Sequence, residues 1–151
     1  MGKIRQSLQG KKVYFDANIF IYTLEAVEPW DVQLNDVFSG LLAGEFTAVT
    51  SSLSLTECLI LPFRRNNMEL VKTFREAILP SYYLDVVPIS DKILLSTANI
   101  RAQKNLKLPD AIHAATALTQ KCTTLLTNDE GFKRVPNIDV FLLSDWITQS
   151  C

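Results

Sequence analysis

Short runs of β-forming residues alternate along this chain with longer segments of helical periodicity, and this alternation is the strongest constraint on its fold. Strands are predicted at residues 12–16, 46–50, 83–89, 123–127 and 140–143. Strands separated by helices pair in parallel, so the sequence predicts an α/β protein with a mainly parallel central sheet of about five strands, covered by helices on both faces. Pro88 cannot donate a hydrogen bond, so we expect the third strand near an edge of the sheet.

Helical segments fill the gaps between the predicted strands. They lie at about residues 18–26, 34–43, 54–62, 67–79, 91–100, 109–120 and 145–147. Ser54 and Glu57 have the S-x-x-E spacing of a capping box, which places the start of the third helix at Ser54. Pro109 opens an alanine-rich helix that is suited to close packing against a sheet.

The composition is that of a globular protein. With 151 residues, 48% hydrophobic and 21% charged, the chain is long enough to bury a core as a single domain spanning residues 1–151. No apolar run approaches the roughly 18 residues of a membrane span, and the polar, basic N-terminus does not resemble a signal peptide. These features predict a cytoplasmic protein with no membrane partner.

The cysteines and the net charge exclude some functional classes. Cys58, Cys122 and Cys151 are odd in number and form no C-x-x-C pair, which favours reduced thiols over disulfides or a zinc site. Cys58 and Cys122 are expected to be small core residues. Because the net charge is only -1, any binding to nucleic acid must come from a local basic patch.

Four acidic residues stand near the ends of predicted strands or the starts of predicted helices. They are Asp16 in VYFDANIFIY, Glu57, Asp110 directly after Pro109, and Asp129 in LLTND. In a parallel sheet the carboxyl ends of the strands meet at one edge, so the four side chains are expected to converge there. Taken singly, Glu57 also fits a capping role, Asp110 a helix N-terminus and Asp129 a turn. Asp16 lies between apolar residues, and its burial requires a compensating cation or hydrogen-bond donors.

A pocket built from carboxylates favours hard divalent cations. Oxygen ligands suit Mg²⁺ or Mn²⁺, and the single histidine and unpaired cysteines argue against zinc. One or two such ions, in a two-ion site about 3.5 to 4 Å apart, are suited to phosphodiester hydrolysis. A phosphatase of the haloacid dehalogenase type also uses an Asp after its first strand, but its D-x-D pattern needs a second acid where this chain has Asn18.

Four motifs in this order resemble the PIN domain family, and in particular the VapC-type toxin ribonucleases. They are FDANIFIY, SLSLTECL, PDAIHAATAL and LLTNDEGF, and the resemblance covers residues from about 12 to 145. It implies a three-layer α/β/α sandwich and metal-dependent endonucleolytic cleavage of RNA that leaves 5'-phosphate and 3'-hydroxyl ends. It also implies a small antitoxin partner and a homodimer.

The resemblance assigns roles to individual residues. Asp16, Glu57, Asp110 and Asp129 become a catalytic and metal-binding quartet, with Glu130 as an alternative to Asp129. Asn18, Thr127 and Thr56 become supporting polar groups. His113 is expected to be a core residue or a neighbour of the metal ligands rather than a general base. Candidates for contacts with RNA phosphates are Arg64, Arg65, Arg101, Lys104, Lys107, Lys133 and Arg134. A PIN nuclease of RNA processing outside any toxin-antitoxin pair, and a catalytically silent PIN-like binding module, remain open alternatives.

Overall fold

Within residues 2–79 and 82–147, which the computed structural model describes, five strands alternate with eight α-helices. The strands are β1 (Lys12–Phe15), β2 (Thr47–Ser51), β3 (Leu84–Val87), β4 (Thr124–Thr127) and β5 (Asp139–Leu142). The helices are α1 (Lys3–Leu8), α2 (Ala17–Leu24), α3 (Asp31–Leu42), α4 (Ser52–Arg64), α5 (Met68–Ile78), α6 (Asp91–Gln103), α7 (Leu108–Thr119) and α8 (Leu143–Ile147). A short 3-10 helix, Glu130–Arg134, joins β4 to β5.

The strands form one parallel sheet in the order β3-β2-β1-β4-β5. This confirms the predicted sheet, and β3 lies at an edge as expected from Pro88. The chain moves outward from β1 to β3 on one side and then crosses to β4 on the other side of β1. Parallel sheets of this kind have a crevice where the order reverses, beyond the carboxyl ends of the strands. Here the crevice lies between β1 and β4.

Two apolar clusters, one on each face of the sheet, hold the three layers together. Because side chains alternate along a strand, Phe15 packs in one cluster, beneath α2 and α3, while Tyr14 packs in the other, against α7. Ala111, Ala114, Ala115 and Ala117 of α7 are fully buried against the sheet. The absence of bulky side chains there lets α7 approach the sheet closely, and this brings its first turn to the crevice. The α/β/α sandwich implied by the resemblance is therefore confirmed.

The predicted capping box was wrong. Helix α4 begins at Ser52, directly after β2, and its N-cap is Ser51, whose side chain accepts a hydrogen bond from the Leu53 amide. Ser54 lies inside the helix, where its hydroxyl is 2.7 Å from that of Thr50. Glu57 therefore lies in the second turn, and its carboxylate is available for contacts with other elements.

The sequence did not indicate a helix near the N-terminus, but it correctly predicted two buried cysteines. Helix α1 was not predicted, and Arg5 on α1 bonds to Asp36 and Glu45 at 3.0 and 2.7 Å. Cys58 and Cys122 are buried free thiols, as expected, whereas Cys151 lies outside the described residues. Among the helices of the described part of the chain, none is long and apolar enough to cross a membrane.

Candidate active site

Asp16 occupies the crevice at the end of β1 and caps helix α2. Its Oδ1 accepts a hydrogen bond of 2.9 Å from the Asn18 amide, and its Oδ2 accepts one of 2.5 Å from the Thr127 hydroxyl. Only 5% of Asp16 is exposed. Burial raises the pKa of Asp16, whereas His113, Thr127 and the Asn18 amide lower it. The donors therefore offset part of the cost of placing a carboxylate in the core.

Thr127 connects Asp16 to the other side of the crevice. Its hydroxyl oxygen accepts a 3.0 Å hydrogen bond from the Asp129 amide while it donates to Asp16. The Asp129 carboxylate in turn accepts a 2.9 Å bond from the Gly131 amide and caps the 3-10 helix. A Cβ at Gly131 would lie 3.1 Å from that carboxylate, so glycine suits this turn.

Asp110 lies in the first turn of α7, directly after Pro109, the second residue of the helix. Partial burial raises its pKa to about 6, with further contributions from the negative charges of Asp129 and Asp16 and from a hydrogen bond with Asp129, whereas His113 lowers it. The Asp110 carboxyl therefore lies beside that of Asp129, and the charge of Asp16 acts on it as well.

Glu57 reaches the same region from α4. Its Oε1 is 2.5 Å from Nε2 of His113 on α7, and Nδ1 of His113 is 2.5 Å from the hydroxyl of Tyr14 on β1. The charge of Glu57 also acts on Asp16 and raises its pKa. Glu57 thus joins the acidic group, and the capping role that its spacing from Ser54 also allows is not the one it has.

The four acids supply a set of donors that fits a divalent cation. Each contributes carboxylate oxygens, and burial together with neighbouring negative charges raises the pKa of both Asp16 and Asp110. Within residues 2–79 and 82–147, no three His, Cys, Asp or Glu side chains are close enough to form a ready-made metal cluster. The observation that fits a cation is therefore the crowding of like charges, which a cation would relieve.

A cleft of about 540 Å³ adjoins the acids. Asp110 and Asp129 line it together with the basic residues Arg101, Lys107 and Arg134. The two arginines also hold the loop between α6 and α7, because Arg101 donates to the Leu106 carbonyl and Arg134 to the Asn105 carbonyl. The cleft therefore presents positive charge directly beside the carboxylates.

Apart from Asn18, the other predicted site residues make no described side-chain contact with these acids. Arg64 and Arg65 are exposed at the far end of α4, about 10 Å along the helix from Glu57 at 1.5 Å per residue. Lys133 pairs with Asp145 at 3.8 Å. Among the described contacts, none joins Thr56, Lys104 or Glu130 to the acids, and all three are exposed. Asn18 contributes its backbone amide to Asp16.

Sequence reasoning missed one participant, Tyr14. Its place in the apolar run of β1 indicates only a core aromatic residue. The available signal was the period-2 pattern, which puts Tyr14 on the same face of the chain as Asp16. That face packs against α7, so a hydroxyl there is close to His113.

A doubly wound parallel sheet with four carboxylates at its switch point defines an α/β protein with a candidate oxygen-ligand site. A family model described as "PIN domain" matches residues 13–138. The chain therefore belongs to the PIN domain family, and the resemblance noted in its motifs is confirmed. No curated protein sequence matches the chain significantly.

Solved structures with a similar fold include a toxin-antitoxin complex from Klebsiella pneumoniae and other bacterial proteins. VapBC2 from Rickettsia felis, bound to a DNA fragment from its promoter, has 22% identity and a TM-score of 0.66, covering 87% of this chain and 98% of that one. Mycobacterium tuberculosis VapC20, a Sarcin-Ricin loop cleaving toxin, has 16% identity and a TM-score of 0.68, covering 85% and 98%. FitAcB from Neisseria gonorrhoeae has 18% identity and a TM-score of 0.64, covering 85% and 96%. At these identities the likeness shows the shared fold.

Proposed function

We propose that this protein is a divalent-metal-dependent endoribonuclease and the toxin of a type II toxin-antitoxin pair. The observation that carries the nuclease proposal is the group of four carboxylates at the switch point of a PIN fold. Carboxylates crowded at this edge destabilise one another unless a cation binds between them. The site is thus suited to phosphoryl chemistry that depends on Mg²⁺ or Mn²⁺.

Asp16, Glu57, Asp110 and Asp129 would hold one or two ions. The chemistry that such ions supply is activation of a water molecule and stabilisation of the leaving oxygen. The chain's own contribution is orientation. Thr127 and the Asn18 amide fix both oxygens of Asp16, so this carboxylate keeps one position at the end of β1.

RNA is the proposed substrate. Arg101, Lys107 and Arg134 line the cleft that also contains Asp110 and Asp129, so a phosphodiester held by these cations lies beside the carboxylates. The similarity of the fold to VapC20, a Sarcin-Ricin loop cleaving toxin, supports a structured RNA as substrate. Arg64 and Arg65, at the far end of α4, are not expected to contact the cleaved phosphate.

The partner proposal rests on the neighbours, which include a toxin-antitoxin complex from Klebsiella pneumoniae and a member of the VapBC family of toxin-antitoxin systems from Mycobacterium tuberculosis. We expect a small antitoxin protein to bind this chain and inhibit it, and we expect a homodimer, as the motif resemblance implies. Light scattering of the purified chain measures the oligomeric state directly.

The nuclease proposal is tested with Asp16→Asn. Asparagine keeps an oxygen that can cap α2, so this variant removes charge while it preserves the cap. The purified proteins are incubated with total RNA in Mn²⁺ or in EDTA. Asp139→Asn serves as the matched control, because Asp139 lies at the amino end of β5, away from the carboxyl ends of the strands. We expect the wild type and the control to cleave RNA in Mn²⁺ but not in EDTA. Equal cleavage by Asp16→Asn, or cleavage in EDTA, would refute the proposal.

The toxin proposal is tested in cells. Induced expression of the wild type should arrest growth, whereas Asp16→Asn should not, and co-expression of a small neighbouring reading frame should restore growth. An active nuclease that leaves growth unchanged would favour a role in RNA processing instead.

A further inference from the structure

A buried hydrogen-bonded chain runs from the core to the acidic site. It joins Tyr14 on β1, His113 on α7 and Glu57 on α4, with both ring nitrogens of the histidine engaged at 2.5 Å. Tyr14 is completely buried and His113 is 1% exposed, whereas the Glu57 side chain is 30% exposed. This series of hydrogen bonds is therefore anchored in the core at Tyr14 and ends at the Glu57 carboxylate, at the edge of the site.

The hydrogen bond to Glu57 has a definite donor and acceptor. The Tyr14 hydroxyl lies 2.5 Å from Nδ1 of His113 and can donate to a neutral ring or accept from a protonated one. In both cases Nε2 carries a proton, because it faces a carboxylate oxygen at 2.5 Å. Nε2 then donates to Glu57, which as a carboxylate can only accept. The Tyr14 hydroxyl, both ring nitrogens of His113 and Oε1 of Glu57 are satisfied in this arrangement.

We infer that His113 is a positioning residue, which holds the Glu57 carboxylate in the orientation needed to bind a divalent cation. This inference rests on the proposed function, because it concerns the same metal site. Asp16 is fixed by two hydrogen bonds and Asp129 by one, but Glu57 projects from the middle of α4. The bond from His113 uses Oε1 alone, which leaves Oε2 to face a cation.

Metal-binding carboxylates in proteins are commonly held by hydrogen bonds of this kind, and loss of such a partner typically weakens metal affinity by about 10- to 100-fold. If His113 served only to fill the core, a different result would be expected. Any amide side chain of similar size at position 113 would then give the same Mn²⁺ affinity, whatever the position of its N–H group.

Two amide variants separate these possibilities. In His113→Gln the amide nitrogen reaches the place of Nε2 and can donate to Glu57. In His113→Asn it ends near the place of Nδ1, next to Tyr14, and cannot reach Glu57. Thr116→Val is the matched control, because Thr116 is buried on the same helix and its hydroxyl bonds only to the Ile112 carbonyl among the described contacts.

The measurement is the dissociation constant for Mn²⁺, obtained from the electron paramagnetic resonance signal of free Mn²⁺ without any RNA. We expect His113→Asn to bind Mn²⁺ about 10- to 100-fold more weakly than the wild type. His113→Gln and Thr116→Val should keep most of the affinity. Cleavage by His113→Asn should recover as the Mn²⁺ concentration rises, since the positions of the other ligands are unchanged.

Equal Mn²⁺ affinity in the wild type, His113→Gln and His113→Asn would overturn the inference and leave the nuclease proposal intact. A wild type that binds no Mn²⁺ would instead overturn the metal site itself. Should the variants fail to fold, the wild type still decides the question, because His113 is the one histidine in the sequence. Its ¹⁵N spectrum should show a proton on Nε2, and a proton on Nδ1 alone would overturn the inference.

Discussion

Replacement of Asp110 by asparagine should stabilise the metal-free protein while it removes a proposed metal ligand. Burial and the charges of Asp129 and Asp16 raise the pKa of Asp110 from an ordinary 3.8 to about 6. The folded state therefore holds this proton more tightly than the unfolded chain does. The resulting loss of stability is absent below pH 3.8, grows as the pH rises towards 6, and is complete above that.

The size of the effect follows from the same pKa. A difference of about two pH units corresponds to roughly 3 kcal/mol. Because Asp110 is only half buried, water screens part of the repulsion, and about 1 to 1.5 kcal/mol is a more realistic gain for Asp110→Asn. For a chain of this length the gain corresponds to a rise in Tm of about 2 to 6 °C.

Thermal unfolding followed by circular dichroism, in EDTA, tests this prediction. At pH 7.5 Asp110→Asn should melt above the wild type, whereas at pH 4.5 the gain should shrink to about a third of that value. Asp139→Asn carries the same change of charge at the start of β5 and should stay within about 0.5 kcal/mol of the wild type. Added Mn²⁺ should stabilise the wild type more than the variant. A gain that is missing at pH 7.5, or just as large at pH 4.5, would refute the argument.

Three further changes test other parts of the structure. Thr127→Val removes the hydroxyl that donates to Asp16 and accepts from the Asp129 amide, so we expect destabilisation of about 1 to 3 kcal/mol in urea unfolding and slower RNA cleavage. Lys107→Gln should reduce the salt dependence of RNA affinity by about 0.7 in log-log slope, whereas Arg64→Gln should leave it unchanged, as measured by fluorescence anisotropy on an Asp16→Asn background. The bond to Arg5 holds the pKa of Glu45 below its usual range, which stabilises the fold above about pH 4.5 and is lost on acidification. Arg5→Gln should therefore lower the Tm at pH 7 and flatten its fall between pH 5 and 3.

The positions of Asp16 and Asp129 could be predicted because both depend on local chain direction. Each follows a short apolar strand, and the parallel topology sets the edge at which the strands end. The position of Asp110 could be predicted equally well, because Pro109 marks the first turn of its helix. In all three cases a local signal and a rule of sheet topology were sufficient.

The start of α4 could not be predicted from its own residues. Ser51, Ser52 and Ser54 are all acceptable N-caps, and the spacing from Ser54 to Glu57 favoured the wrong one. Tertiary structure decides between them, because β2 continues to Ser51 and Ser54 is drawn into a buried bond with Thr50. The shift by three residues moves Glu57 one turn further into the helix, where it meets His113.

The partners of His113 could not be predicted either, because they are 56 and 99 residues away along the chain. The contact between His113 and Glu57 supplies one of the hydrogen bonds that compensate the carboxylates of the site. Hydrogen-bond donors compensate Asp16, Asp129 and Glu57, yet the pKa of Asp110 stays raised because the group is partly buried and its neighbours Asp129 and Asp16 are negative. The fold thus stores repulsion at the crevice between β1 and β4. Binding of the proposed cation would release that repulsion, so the same residues that weaken the metal-free protein would strengthen its affinity for metal.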